Sequence, residues 1–317
     1  MKNLLLGIPW ILNPKGVTAA RESRQALVEA FLKYLNDDGL DSACSFISEL
    51  SGLGIRRGLS TENNARALLG SILAIVGNTV PTTFWLLLNI FSRPTLLNLV
   101  RAELEAILDT GAEDATKGQT DDTAVCLDVT RIRENCTVFM AVYNETLRMT
   151  SGIATVRYTN EDTLIEGSGG RSWLLRRGAQ VQMPTAFIHS DPTTWGPEAA
   201  STFDHTRFLR SESSSDKATV AKTDKPLSRE QKARRTAAFR PFGGGSALCP
   251  GRHFATDEIL SFVGAVLLGF EMRPVGEKQF QIPEMDRSKM PLTSLKPVGD
   301  IKARLVRRDG WEKRVFS

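Results

Sequence analysis

One cysteine, Cys249, closes the glycine-rich run Phe242-Gly243-Gly244-Gly245-Ser246-Ala247-Leu248-Cys249-Pro250-Gly251-Arg252. Glycine has no Cβ, so this run offers bare backbone against which a flat group can lie. An apolar helical pattern follows at once. Pro250 suits the first position of that helix, where no amide hydrogen is needed. The Cys249 sulfur then stands at a helix N-terminus, faced by first-turn amide hydrogens. A thiolate held there is a soft ligand for a metal ion. The competing reading of the loop alone is a buried structural cysteine at a tight turn. Other glycine-loop chemistries are excluded. The run has no Gly-x-x-x-x-Gly-Lys-Ser/Thr for phosphate and no Gly-x-Ser-x-Gly around Ser246 for a nucleophilic serine. His253 lies four residues after Cys249, but zinc would need further ligands that the pair lacks.

The spacing Phe-x-x-Gly-x-x-x-Cys-x-Gly resembles the heme-binding loop of the cytochromes P450. The resemblance implies heme b with the Cys249 thiolate as axial ligand to iron, a ligand that pushes electron density toward O–O cleavage. It implies that Phe242 packs beside the sulfur and that Gly245 and Gly251 let the chain approach the porphyrin. Family members often carry Arg or His two residues before the cysteine, against a heme propionate. Here that position is Ala247.

Residues 132–151 read as one amphipathic helix in which Glu145 and Arg148 share a face. By spacing alone the pair is an ordinary surface ion pair. In context, Tyr143-Asn144-Glu145-Thr146-Leu147-Arg148 resembles the family's helix-K motif Glu-x-x-Arg. The resemblance implies a third member, Arg207 in Phe203-Asp204-His205-Thr206-Arg207-Phe208, completing a buried structural triad behind the heme loop. His189-Ser190-Asp191-Pro192 and Trp195-Gly196-Pro197 follow the family's order between them. Arg157, in an extended stretch, falls where the family places a propionate-binding arginine. From its own context it reads equally as a solvated strand residue. Arg252 is a second propionate candidate.

A long apolar pattern over about 61–91 is similar to the family's helix I, which crosses the heme. Most members place an acid and then a threonine there to relay protons to dioxygen. Here Gly77 takes the acid's place and Asn78 the threonine's. The run Asn78-Thr79-Val80-Pro81 resembles the branch of sterol 7α-hydroxylases and prostacyclin synthase. Asn78 and Thr79 are therefore the catalytic candidates. Alternatively, Asn78 relieves the helix distortion near Pro81. Three functions follow from the resemblance. The first is a monooxygenase hydroxylating a lipophilic small molecule (a sterol, terpenoid or other secondary metabolite) with O2 and electrons from NADPH-cytochrome P450 reductase. The second is a heme-thiolate isomerase of a peroxide. The third is an inactive remnant.

The fold class expected is mainly α with small β-sheets, a cytochrome P450 fold truncated at its N-terminus, with residues 1–317 as one partial domain. The helix-K and heme-loop motifs come only about 130 and 240 residues into the chain, whereas the family has considerably more before them. Residues 17–35 then read as helix G, and the resemblance implies that the membrane anchor is missing. No transmembrane span is evident, and Pro9 and Pro14 interrupt the apolar start. The full-length member is expected on the cytoplasmic face of the endoplasmic reticulum membrane. Further helices are expected over about 41–50, 94–108 and 250–268, with strands near 153–158 and 179–186. The polar stretch 110–125 reads as a loop, and 211–235 as a flexible insertion. Leu6, Ile8, Trp10 and Ile11 read as packing residues or as a substrate-entrance lining.

Of 317 residues 41% are apolar, enough for a sizeable core. Four cysteines without paired spacing argue against a disulfide framework. A net charge of +4 does not indicate nucleic acid as a partner. The basic run Lys232-Ala233-Arg234-Arg235 reads as a solvated loop, with a weaker alternative as a dock for an acidic redox partner.

Overall fold

Helical periodicity dominates the chain, and helices with short strands between them result. The structure, a computed structural model, describes residues 14–109, 124–167, 169–199, 201–209, 227–287 and 294–316. The expectations for Leu6, Ile8, Trp10 and Ile11, for 110–123 and for 211–226 fall outside those residues. The described residues up to Gly77 form one compact unit, and the described residues from Asn78 form a second.

In the first unit, α1 (Pro14–Asn36), a 3-10 turn (Gly39–Ser42) and α2 (Ser45–Arg56) precede the opening of α3 (Thr61–Phe91). The buried centre is Val28, Ala65 and Leu69. Asn64 donates from Nδ2 to the Ser51 carbonyl and hydroxyl at 3.2 and 2.9 Å. A Cβ on Gly54 would fall 2.3 Å from Asn64 Oδ1, so α2 and α3 meet on a face that glycine permits. Ser60 Oγ accepts from the Asn63 N–H at 3.3 Å and so supports the start of α3.

By length and composition α3 is apolar enough to cross a membrane, which the sequence reading did not anticipate. Its second half instead carries core side chains, with Trp85, Leu86, Leu88 and Ile90 buried.

The second unit continues with α4 (Pro94–Asp109), β1 (Ala124–Val125), α5 (Val129–Asn135) and α6 (Thr137–Thr150). The helix expected over 132–151 is therefore two helices, broken at Cys136. The cause is tertiary. Glu103 on α4 accepts from the Val138 and Phe139 N–H groups at 2.8 and 3.0 Å and from Thr137 Oγ1 at 3.2 Å. It thus caps a new helix start that periodicity cannot show. Burial raises the Glu103 pKa despite those hydrogen bonds.

β2 (Ala154–Tyr158) pairs antiparallel with β5 (Gln180–Pro184). Between them lies a hairpin of β3 (Thr163–Glu166) and β4 (Ser172–Leu175), which the sequence reading missed. Then come α7 (Thr185–Ser190), α8 (Pro192–Trp195), a 3-10 turn (His205–Phe208), α9 (Arg229–Ala238) and α10 (Arg252–Gly269). The C-terminal part forms β6 (Phe270–Pro274) antiparallel to β7 (Ala303–Arg307), and β8 (Val315–Phe316) parallel to β1.

The core joins Leu86 and Ile90 of α3, Val100 and Leu104 of α4, Ile132 of α5, Phe139 and Val142 of α6, and Ile259, Leu260, Val263 and Leu267 of α10. Arg101 ties the end of α10 to α4. It donates to the Leu267 and Phe270 carbonyls at 2.8 Å each and pairs with Glu271 at 2.7 Å.

Part of the expected insertion is a helix. α9 opens on a capping box, in which Ser228 Oγ accepts from the Gln231 N–H at 3.1 Å and Gln231 Oε1 accepts from the Ser228 N–H at 2.9 Å.

Candidate functional site

Glu145 and Arg148 lie on the last two turns of α6, on its inward face. Glu145 is fully buried and Arg148 is 1% exposed. Arg148 donates from Nε to Glu145 Oε2 at 2.7 Å and from Nη2 to Oε1 at 2.8 Å. Arg207, from the 3-10 turn, donates from Nη1 to the same Oε1 at 2.6 Å, and the Asp204 N–H donates to it at 3.0 Å. The structure thus brings Glu145, Arg148 and Arg207 together. The carboxylate is fully engaged, as a buried charge requires.

The guanidiniums also hold backbone. Arg148 Nη1 donates to the Ala199 carbonyl at 2.8 Å and to the His189 carbonyl. Arg207 donates to the Trp195 carbonyl at 3.0 Å and the Thr202 carbonyl at 3.1 Å.

Sequence reasoning missed a third cation. Arg235, in the basic run read as solvated, turns inward from α9. It donates to the Thr194 carbonyl at 3.0 Å and the Arg207 carbonyl at 3.2 Å, with its guanidinium 5.7 Å from the Trp195 ring. Burial lowers its pKa, and the Arg207 charge adds to that. The basic run carries no local signal for this, because the partners of Arg235 lie 28 to 41 residues away.

The cysteine loop is folded by its own backbone. The Gly243 N–H donates to the Arg240 carbonyl at 3.1 Å, the Leu248 N–H to the Gly245 carbonyl at 3.1 Å, and the Cys249 N–H to the Phe242 carbonyl at 3.0 Å. Gly243 and Gly245 have φ of 78° and 62°, the left-handed region that glycine tolerates. Phe242 packs against the core, while Cys249 stays partly exposed.

The helix after the loop starts later than expected. Gly251 is the N-cap of α10, and Arg252 rather than Pro250 is its first residue. Cys249 therefore stands two residues ahead of the cap. Its N–H is already committed to the loop, and the chain coils only after leaving it. A Cβ at Gly251 would sit 3.9 Å from Cys249 Sγ, an ordinary contact.

Arg157, on β2, reaches the loop. It donates from Nη2 to the Gly244 carbonyl at 2.8 Å and from Nη1 to the Val156 carbonyl at 2.8 Å. Arg252 donates to the Cys249 carbonyl at 3.2 Å. Both guanidiniums border the loop, and each has further N–H donors.

Asn78 is tied elsewhere. Its Oδ1 accepts from the Ser294 N–H at 3.0 Å, and Thr82 Oγ1 lies 3.2 Å from Ser294 Oγ. The neighbouring Leu295 donates its N–H to the Thr150 carbonyl at 2.8 Å and accepts from Trp85 Nε1 at 2.8 Å. Segment 294–295 is thus strapped to α3 and to the end of α6. Thr79 is buried.

The profile of the Cytochrome P450 family matches residues 19–298. The chain belongs to the cytochrome P450 family. This P450 is 32% identical over 309 residues to a cytochrome P450 monooxygenase of Gibberella zeae, an alignment covering 95% of this chain and 55% of that protein. It is 30% identical over 304 residues to the cholesterol 7-alpha-monooxygenase of Cricetulus griseus, covering 94% and 55%. It is 31% identical over 297 residues to the prostacyclin synthase of Homo sapiens, covering 93% and 52%. The chain spans about half the length of the curated relatives it matches. The family read from the cysteine loop and Glu-x-x-Arg is the family found, as is the mainly helical fold with small sheets.

Proposed function

We propose that this P450 holds heme b through the Cys249 thiolate and serves as a monooxygenase. It would hydroxylate a lipophilic small molecule, a sterol, terpenoid or other secondary metabolite. Electrons would come from NADPH-cytochrome P450 reductase. The observation that carries the reading is the cysteine loop. A partly exposed sulfur stands beside bare glycine backbone, with two guanidiniums alongside.

The donor set fits the group. A thiol is a soft ligand suited to iron. Gly243 and Gly245 leave no Cβ on the loop, and Arg157 and Arg252 carry spare donors for propionates. When bound, heme b supplies the oxygen chemistry. The chain's own residues do the rest. The Phe242 carbonyl fixes the Cys249 amide and so the position of the sulfur. Glu145, Arg148 and Arg207 hold the stretch 189–202 through its backbone carbonyls. The Asn78 amide hydrogens can orient water while Oδ1 stays on Ser294.

The test is the absorption spectrum of the reduced, carbon monoxide-bound chain expressed with added heme. A strongly red-shifted Soret band that is lost in Cys249→Ala supports the reading. Heme uptake unchanged by Cys249→Ala overturns it.

A second reading, isomerisation of a peroxide, is favoured by Gly77 where an acid is usual and by the engagement of Asn78 Oδ1. It predicts turnover of an organic hydroperoxide without reductant. The monooxygenase reading predicts none.

A further inference from the structure

A histidine stands between the ionic cluster and the cysteine loop. His189 ends the short helix α7 and is 1% exposed. Its Nδ1 lies 2.9 Å from the Arg148 carbonyl oxygen, which only accepts, so Nδ1 carries the hydrogen. Its Nε2 lies 3.0 Å from the Arg240 backbone nitrogen, which only donates, so Nε2 carries the lone pair. One neutral tautomer satisfies both contacts, and no other protonation state does. The ring is stacked on Phe239 at 5.7 Å and meets Trp195 edge-on at 6.2 Å, which leaves it little freedom to turn.

The contacts continue on both sides. Beyond Arg148 lie Glu145 and Arg207. Beyond Arg240, its carbonyl holds the Gly243 N–H, and two residues on, the Phe242 carbonyl holds the Cys249 N–H. We propose that His189 is a positioning residue that locks the Cys249 loop to the Glu145–Arg148–Arg207 cluster, joining the Arg148 carbonyl to the Arg240 amide through a single imidazole tautomer. The proposal rests on Cys249 as the heme ligand.

The surroundings keep the ring neutral. Burial lowers its pKa to about 4, and the Arg148 guanidinium pushes the same way, while the Arg148 and Ala238 carbonyls pull back. The charged group acting on it is Arg148 on α6, and Arg235 on α9 faces the neighbouring Trp195 ring. The Arg240 side chain is turned to the Ala237 carbonyl. A second proton would force Nε2 to give up the Arg240 N–H and seek the Ala238 carbonyl, which uncouples the loop.

The test uses the full 317-residue chain without heme, so that it stands apart from the heme reading. Cys44 and Cys126, both exposed, are first replaced by serine, and Cys136 is buried. Long-range nitrogen NMR of labelled imidazole, assigned with His189→Gln, reports the tautomer. Thiol labelling of Cys249 reports how firmly the loop is held.

Expected are an Nδ1–H tautomer that does not titrate near pH 6.5 and Cys249 labelling at least about tenfold faster in His189→Ala, as local opening would give. Glutamine carries one donor and one acceptor, so His189→Gln labels within about threefold of the parent. The opposite tautomer overturns the proposal. So does equal labelling in the parent and His189→Ala, or a folded His189→Gln that labels as fast as His189→Ala. If His189→Ala does not fold, the tautomer and His189→Gln decide. Failure of the heme reading looks different: no red-shifted Soret band, with the tautomer and the labelling contrast intact.

Discussion

Replacing Glu145 by glutamine keeps the side chain's shape and removes its charge. The consequence follows from the contacts. Oε1 accepts from Arg148 Nη2, Arg207 Nη1 and the Asp204 N–H, and Oε2 accepts from Arg148 Nε. An amide has only one acceptor oxygen. Placed with its oxygen at Oε1, it points an NH2 at Arg148 Nε–H. Flipped, it points an NH2 at three donors. Either way two guanidiniums, of side chains 1% and 8% exposed, lose their counter-charge. Breaking a buried ionic group in this way costs about 3–5 kcal/mol. That is a fifth or more of a typical domain stability of about 5–15 kcal/mol. With urea slopes of ~1–3 kcal/mol/M, the midpoint should fall by about 1 M or more. The assay is urea unfolding followed by tryptophan fluorescence, since Trp195 is buried and lies 5.7 Å from the Arg148 guanidinium. Replacing Glu145, Arg148 and Arg207 together by apolar residues should cost less than the sum of the single changes, because no charge is then stranded. A Glu145→Gln midpoint within ~0.3 M of the parent would refute the reasoning, since it would mean the cluster is solvated in solution.

His189 makes stability depend on pH. Its folded pKa is held near 4 against an ordinary value of 6.5, so between those values the unfolded chain binds a proton that the folded chain refuses. Stability from this group is complete above pH 6.5 and falls as pH drops toward 4, by up to ~3 kcal/mol. Urea midpoints at pH 7.5 and 5 check it, and His189→Gln should remove that part of the slope. Glu103→Ala strips the start of α6 of its cap and should cost about 1–2 kcal/mol. Hydrogen exchange would accelerate first at Val138 and Phe139, whose amides it holds. Ser228→Ala breaks the α9 capping box, with an expected loss of ~1 kcal/mol, read as faster exchange through the first turn of that helix alone.

What local sequence encodes and what packing decides divide along physical lines. The cysteine loop, Glu-x-x-Arg, and the long helices 61–91 and 252–269 were legible because their signals are carried by near neighbours. Glycines permit a positive φ, apolar residues recur at helical spacing, and a proline or a cap marks an end. The start of α9 was legible too, in Ser228-x-x-Gln231, but the polar composition of 211–235 masked it. Other features were not written locally. The break at Cys136 exists because Glu103, more than thirty residues away, supplies acceptors to the Val138 and Phe139 amides. Asn78 read as a catalytic candidate, yet its Oδ1 holds Ser294, which is 216 residues distant. Arg235 looked solvated until Trp195 and the Thr194 carbonyl drew it inward. Sequence by itself determined the family and the local frames of the long helices and the cysteine loop. Tertiary structure decided which polar groups satisfy one another. Buried donors and acceptors must be paired, and their partners come from wherever the fold brings them.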